Sequence, residues 1–253
     1  MENLLQNKIV LLGPYVGNIK EELFTFKPFV DWFKRHFKYR NLFISTHYDR
    51  SFLYKDKNVP IFKQYTHDVL NQFNHTHKQI NSYDYQVIKK SVIEDILSIS
   101  SYKKSDIITY DLGYSFYSNI CFTQRIFLPL DLIPVKKHKF LFVPDNSRKW
   151  KENLSVYRFL SDISDINIID FNLMSYEEII RQVLGSEIII TPASHWTLLC
   201  NLHNKNVFSW GKNISVFKSY YNFDNEKCIL YKTENKLEAG FWKFLKSFVE
   251  RFT

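Results

Sequence analysis

The chain has 253 residues and a formal net charge of +8, from 34 Lys plus Arg against 26 Asp plus Glu. That length suffices for one large or two small domains, and the basic balance favours polyanionic partners such as nucleic acid, an anionic membrane surface or nucleotide diphosphates. No apolar run approaches the ~20 residues that span a bilayer and no signal-peptide core opens the chain, so the expectation is a soluble cytoplasmic protein.

No block of five like charges occurs, so scattered, solvated lysines are an equal account of the charge. Cys121, Cys200 and Cys228 stand apart without CxxC or His-paired spacing, which suggests neither a disulfide framework nor a zinc site. The 23 Phe and 16 Tyr follow the same compositional bias that enriches Lys, Asn and Ile.

In chain order, Lys8–Leu12 reads as a buried strand running into Gly13-Pro14-Tyr15-Val16-Gly17, a tight turn whose backbone a ligand can approach closely. This is neither GxGxxG nor a Walker loop. A helix follows from Glu21, with Leu23, Phe26, Phe29, Val30 and Phe33 on one face; Pro28 kinks it or marks its true start. Asn41–Thr46 is the second strand, and it delivers His47-Tyr48-Asp49-Arg50 to the same sheet edge as the first turn. The stretch holding His67, His75 and His77 has no carboxylate or cysteine at ligand spacing, so no metal is assigned. Tyr85–Ser98 reads as a helix burying Val87, Ile88, Val92, Ile93 and Ile96. Ser105–Tyr110 reads as a strand, and Ile126–Leu130 as a short apolar segment.

Pro129–Lys139, with two prolines and a basic cluster, is the expected domain boundary, giving domains 1–134 and 135–253. The pattern then restarts with a strand at Phe140–Val143, a loop at Pro144–Lys151, a helix at Leu154–Ser161 and a strand at Asn167–Ile169. Ser175 with Glu178 forms a capping box opening a helix that Gly185 should close with a left-handed cap. Glu187–Thr191 is a β-branched run typical of a strand buried on both faces of a parallel sheet. A turn through Pro192-Ala193-Ser194-His195-Trp196 leads to a helix at Thr197–Leu202, a strand at Asn206–Ser209 and then Trp210-Gly211-Lys212. Cys228–Tyr231 is the last strand, and the amphipathic helix Leu237–Phe252 is expected to pack back across both domains. Strand–helix alternation in two successive halves predicts an α/β protein with two Rossmann-like domains facing a central cleft.

Two segments carry a resemblance. LLGPYVGNIKEELFTFKPFVDWF resembles the opening of GT-B-type glycosyltransferases that begin with a strand, then GPxVGEFGWEL and an aromatic helix. Gly13, Pro14, Val16, Gly17, Glu22 and Leu23 match that pattern, while Asn18, Ile19, Lys20 and Glu21 stand in place of EFGW. NSRKWKEN is similar to the Arg-x-Trp element after the first C-terminal strand of the same proteins. The resemblance implies a nucleotide-sugar donor, UDP-linked for instance, held mainly by the C-terminal domain. It also implies two facing Rossmann-like domains and no required metal, and names neither a sugar nor an acceptor; the expectation is hexosyltransferase-like chemistry with the acceptor in the N-terminal domain and no cofactor.

Such a transfer needs positive charge or N–H donors at the diphosphate, a base at the acceptor hydroxyl, and both held in place. Arg148, with Lys149 and Lys151 beside it, is the first choice for the diphosphate; a solvated basic loop is the alternative. Ser194 and His195 can present a hydroxyl and backbone N–H groups to phosphate, or serve simply as a helix cap. Lys212 adds charge from the neighbouring turn. Glu22 and Asp49 are candidate bases, with His47 as a rival whose ordinary pKa suits the work. A Glu in a first helical turn is also a plain partner for the helix dipole. Gly13, Tyr15 and Gly17 line the acceptor side, and Tyr15 or Trp196 can stack on a base or sugar. Two further readings stay open: the same donor chemistry directed at a hydroxymethylated DNA base, and a non-catalytic nucleotide- or nucleic-acid-binding protein.

Overall fold

The computed structural model describes residues 5–17, 19–46, 48–54, 82–111, 130, 132–135, 138–144, 150–212, 214, 226–234 and 237–253. His47, His67, His75, His77, Cys121, Arg148, Lys149 and the apolar segment 126–129 lie outside them. The chain divides into two compact units, Met1–Leu128 and Pro129–Thr253.

Among the described residues the first unit has three parallel strands, β1 (Ile9–Leu12), β2 (Asn41–Ile44) and β3 (Ile107–Tyr110), in the order β2-β1-β3. β1 is central and aliphatic throughout, and all four of its residues are buried, as expected of a strand paired on both sides and covered. Between β1 and β2 the chain forms a helical turn (Ile19–Glu21), a π-helical segment (Glu22–Phe26) and α1 (Lys27–His36). The Lys27 N–H reaches the Glu22 carbonyl five residues back, and Pro28 supplies no N–H to continue an α-type ladder. Thus Pro28 sits in the first turn of α1, after a widened turn rather than a kink.

A 3-10 helix (Tyr48–Tyr54) follows β2. On α2 (Ser82–Ser98), Ile88, Val92 and Ile96 recur every four residues and pack on Ile9, Leu11 and Phe43. Val87, one position off that row, is exposed instead of buried.

The second unit holds five parallel strands in the order β5-β4-β6-β7-β8: β4 (Phe140–Phe142), β5 (Ile166–Ile168), β6 (Ile188–Pro192), β7 (Asn206–Gly211) and β8 (Cys228–Lys232). Among the described residues its helices include α3 (Trp150–Ser161), α4 (Tyr176–Gly185), α5 (His195–Leu202) and α6 (Ala239–Glu250). Phe208 and Trp210 of β7 meet Phe140 and Phe142 of β4 and Phe241, Leu245, Phe248 and Val249 of α6 in one core. The apolar stripe of α6 is therefore buried within this unit's own core.

The capping box at Ser175 forms, with Glu178 N–H donating to the Ser175 hydroxyl and the Glu178 carboxylate accepting from Ser175 N–H. The close of α4 differs from expectation. Gly185 is the last helical residue without a left-handed φ, and Ser186 turns to extended backbone while its N–H stays on the Gln182 carbonyl. Its buried hydroxyl donates to the same carbonyl at 2.8 Å, so a side chain satisfies the helix end that a glycine cap would otherwise serve.

The segment opening this unit is tied down along the same helices. Leu130 N–H donates to His203 Nε2 at 2.9 Å. Arg181 donates from Nη1 to the Ile133 carbonyl and accepts at its own carbonyl from Val135 N–H.

Candidate functional site

In both units the first strand lies between the second and the third. The second strand thus lies on one side of the first and the third on the other, and in open parallel sheets ligands bind outside the carboxyl strand ends at such a reversal of order. In the first unit the point falls at Gly13 beside Asp111. In the second it falls at Val143-Pro144, where β4 runs out beside the end of β6 and Ser194 and His195 follow that strand.

The loop after β1 is pinned at two points. Gly13 N–H donates to the Tyr110 carbonyl at 3.0 Å and Tyr15 N–H to the Ser45 carbonyl at 2.9 Å. Gly13 has φ +102° and a cis peptide to Pro14, and a Cβ there would stand 2.4 Å from the Ser45 carbonyl oxygen. Only glycine fits. Tyr15 is buried, with its ring stacked on Phe26 at 4.7 Å, and burial together with Glu22 pushes its phenol far above the ordinary range. That ring is a packing element, not an open stacking platform.

Behind the loop stands Glu22, 0% exposed on the π-helical segment. Its Oε1 accepts from the Thr46 hydroxyl and from Tyr54 Oη at 2.7 Å. Its Oε2 accepts from Arg50 Nη1 at 3.0 Å, and the same Nη1 donates to the Gly17 carbonyl at 2.5 Å. Arg50 is itself only 2% exposed. Burial raises the Glu22 pKa, while Arg50, Thr46 and Tyr54 hold it back. An ion pair this deep adds little net stability, since desolvation offsets the attraction, yet removing one partner strands the other at a cost of about 3–5 kcal/mol. Glu22 is thus central to the first unit, but its carboxylate is fully buried and already accepts from three donors.

Asp49 lies in the 3-10 helix that carries Arg50 and Tyr54. Asp111, directly after β3, pairs with Lys89 of α2 at 2.7 Å and keeps about a quarter of its side chain exposed. Arg50, which the sequence places at this sheet edge without a role, and Asp111 are both absent from the sequence-predicted site residues. Asp111 carries a signal that could have found it, a carboxylate immediately following the strand expected at Ser105–Tyr110. Arg50 carries none.

In the second unit, Ala193-Ser194 follows β6, and Ser194 caps α5 with its oxygen accepting from Trp196 N–H at 3.3 Å. Ser194 N–H donates in turn to Thr197 Oγ1, which lies 2.7 Å from Ser209 Oγ in the buried seam against β7. The cap is therefore braced from the neighbouring strand. His195 is half-buried at the first position of α5, its ring against Trp196. Trp196 is 2% exposed and also packs on Phe171, so it belongs to the core. The helix begins two residues before the expected Thr197 because Ser194 supplies the cap.

Ala193 N–H donates to the Trp210 carbonyl at 2.8 Å, and a Cβ on Gly211 would lie 3.2 Å from the Ala193 Cβ, so the ends of β6 and β7 are close. Exposed Lys212 follows on that edge. Trp210 Nε1 donates to Glu152 in the first turn of α3, at 3.2 Å. The structure thus brings Ser194, His195 and Lys212 to one sheet edge, and Gly13, Tyr15, Gly17 and Glu22 to the corresponding edge of the other unit. Among the described residues no three His, Cys, Asp or Glu side chains are grouped to hold a metal ion, and no helix is long and apolar enough to cross a membrane.

No protein-family model and no curated protein matches the chain. Among solved structures, that of E. coli heptosyltransferase WaaC with ADP is similar over 97% of this chain and 100% of that one, at a TM-score of 0.54 and 8% identity. The wall teichoic acid polymerase TagF gives a TM-score of 0.34 at 11% identity, over 100% of this chain and 83% of that one. An uncharacterized protein of Klebsiella pneumoniae gives 0.33 at 14% identity, over 90% and 94%. The chain has the mixed α/β, parallel-sheet fold of the heptosyltransferase.

Proposed function

We propose that the protein is a metal-independent glycosyltransferase that moves a sugar, hexosyl or similar, from a nucleotide-sugar to a hydroxyl acceptor on a glycan, a lipid-linked glycan or a small molecule. The observation that carries this reading is the likeness to the heptosyltransferase over nearly the whole chain. In the reaction, the bond from the anomeric carbon to the diphosphate oxygen breaks and the nucleoside diphosphate leaves with its electron pair. The acceptor oxygen bonds to the anomeric carbon, and its proton passes to a base.

The second unit takes the donor. The α5 N-terminus, the Ser194 hydroxyl hydrogen, Lys212 and the Arg148–Lys149 segment supply donors and charge to the diphosphate. The first unit takes the acceptor at the Gly13–Gly17 edge, with Asp49 or His47 as the base. Nothing in the fold favours a DNA acceptor over these.

The test is a thermal-shift panel of nucleotides and UDP-, GDP- and ADP-sugars, with and without EDTA. A ligand that binds only the folded state raises Tm by mass action. The expected outcome is a rise with one nucleotide class that survives EDTA and shrinks in Ser194→Ala and Arg148→Ala. No shift across the panel overturns the donor-site reading.

A further inference from the structure

We infer that Glu22 is a positioning residue rather than the base of the transfer: it orients Arg50, and Arg50 sets the shape of the Gly13–Gly17 loop. Three observations carry this. The Glu22 carboxylate is fully buried and its hydrogen-bond partners, Thr46, Tyr54 and Arg50, all act as donors. The Arg50 Nη1 that meets Glu22 also donates to the Gly17 carbonyl, so the carboxylate and the end of the loop share one nitrogen. Lastly, the loop is anchored at its start by Gly13 and Tyr15 on the ends of β3 and β2, and Arg50 holds its far end at the Gly17 carbonyl.

The elements joined in this way are the π-helical segment, the end of β2, the 3-10 helix and the ligand-side loop. π-Turns recur at functional sites, and a buried ion pair adds too little net stability to account for itself. A fixed loop geometry accounts for it, because a site must hold its reacting groups to within about half an ångström of the productive arrangement. Arg50 suits this task, since its guanidinium is planar, always charged and offers several donors in a rigid fork.

The primary test does not depend on the proposed activity. Glu22→Gln keeps the side-chain size and can still accept from Thr46 and Tyr54, but removes the charge that holds Arg50. Hydrogen–deuterium exchange of the full chain should show the Gly13 and Tyr15 amides exchanging at least ten-fold faster than in the wild type, with the Leu11 and Phe43 amides unchanged. Unchanged loop exchange in a folded variant overturns the inference. If Glu22→Gln fails to fold, the paired variant Glu22→Leu/Arg50→Met, which leaves no stranded charge, is read at the same amides.

A second arm rests on the proposed function and uses the nucleotide-sugar that raises Tm, following release of the nucleoside diphosphate. Glu22→Gln should lower kcat at least ten-fold with donor affinity unchanged, and the acidic limb of the pH–rate profile should persist at reduced height. Loss of that limb would make Glu22 the base and overturn the assignment. If no nucleotide-sugar binds or turns over, the glycosyltransferase reading fails, and the exchange experiment still decides the role of Glu22.

Discussion

Thr197 Oγ1 and Ser209 Oγ lie 2.7 Å apart in the buried seam between α5 and β7, and Thr197 also accepts the Ser194 N–H. Thr197→Val leaves the Ser209 hydroxyl and the Ser194 N–H without their partner, at a cost of about 1–3 kcal/mol. Adding Ser209→Ala should recover part of that loss, because two apolar groups then replace a broken pair. Urea denaturation of the single and double variants measures the coupling; strictly additive losses would mean that the two hydroxyls act independently.

His203 accepts the Leu130 N–H and must be neutral to do so. Burial, then the nearby Lys205 charge, pushes its pKa down from 6.5 to about 4. A histidine with a depressed folded pKa contributes stability that is present above the unfolded pKa and is lost as pH falls from 6.5 toward 4. The ring is partly exposed, so solvent screening reduces the effect at pH 5 to the order of 1 kcal/mol. His203→Gln should melt with a shallower pH dependence between pH 7 and 5 than the wild type, by about 2–4 °C. Parallel melting curves for the two proteins would remove His203 from the pH response.

Gly13 and Gly240 make a matched pair of substitutions. Gly13→Ala meets the Ser45 carbonyl at 2.4 Å with φ at +102°, and should cost about 3 kcal/mol or more. A Cβ on Gly240, at the start of α6, meets only the far end of Tyr231 at 3.2 Å. Gly240→Ala should be neutral or stabilising by up to about 1 kcal/mol through helix propensity. Thermal melts of the two variants read the contrast directly, and equal effects would contradict the backbone argument.

Much of this protein was legible locally. The Ser175–Glu178 box, the aliphatic run of β1 and the Ile-rich run of β6 each declare an element through neighbouring residues, since capping and hydrophobic periodicity act over a turn or a strand. Strand–helix alternation likewise implied parallel sheets. With parallel sheets, the chain order alone brought Gly13, Gly17, Ser194, His195 and Lys212 to carboxyl strand ends.

What depended on tertiary structure was the environment of each of those side chains. Trp196 and Tyr15 read as aromatics beside a turn and prove to be packed on Phe171 and Phe26, because burial depends on what the rest of the chain lays over a ring. The pairing of Arg50 showed no signal because its partner Glu22 lies 28 positions away and the pair forms only when the π-helical segment folds against the 3-10 helix. Hydrophobic pattern and caps are written in consecutive residues; desolvation and ion pairing arise from groups that only the folded chain brings together.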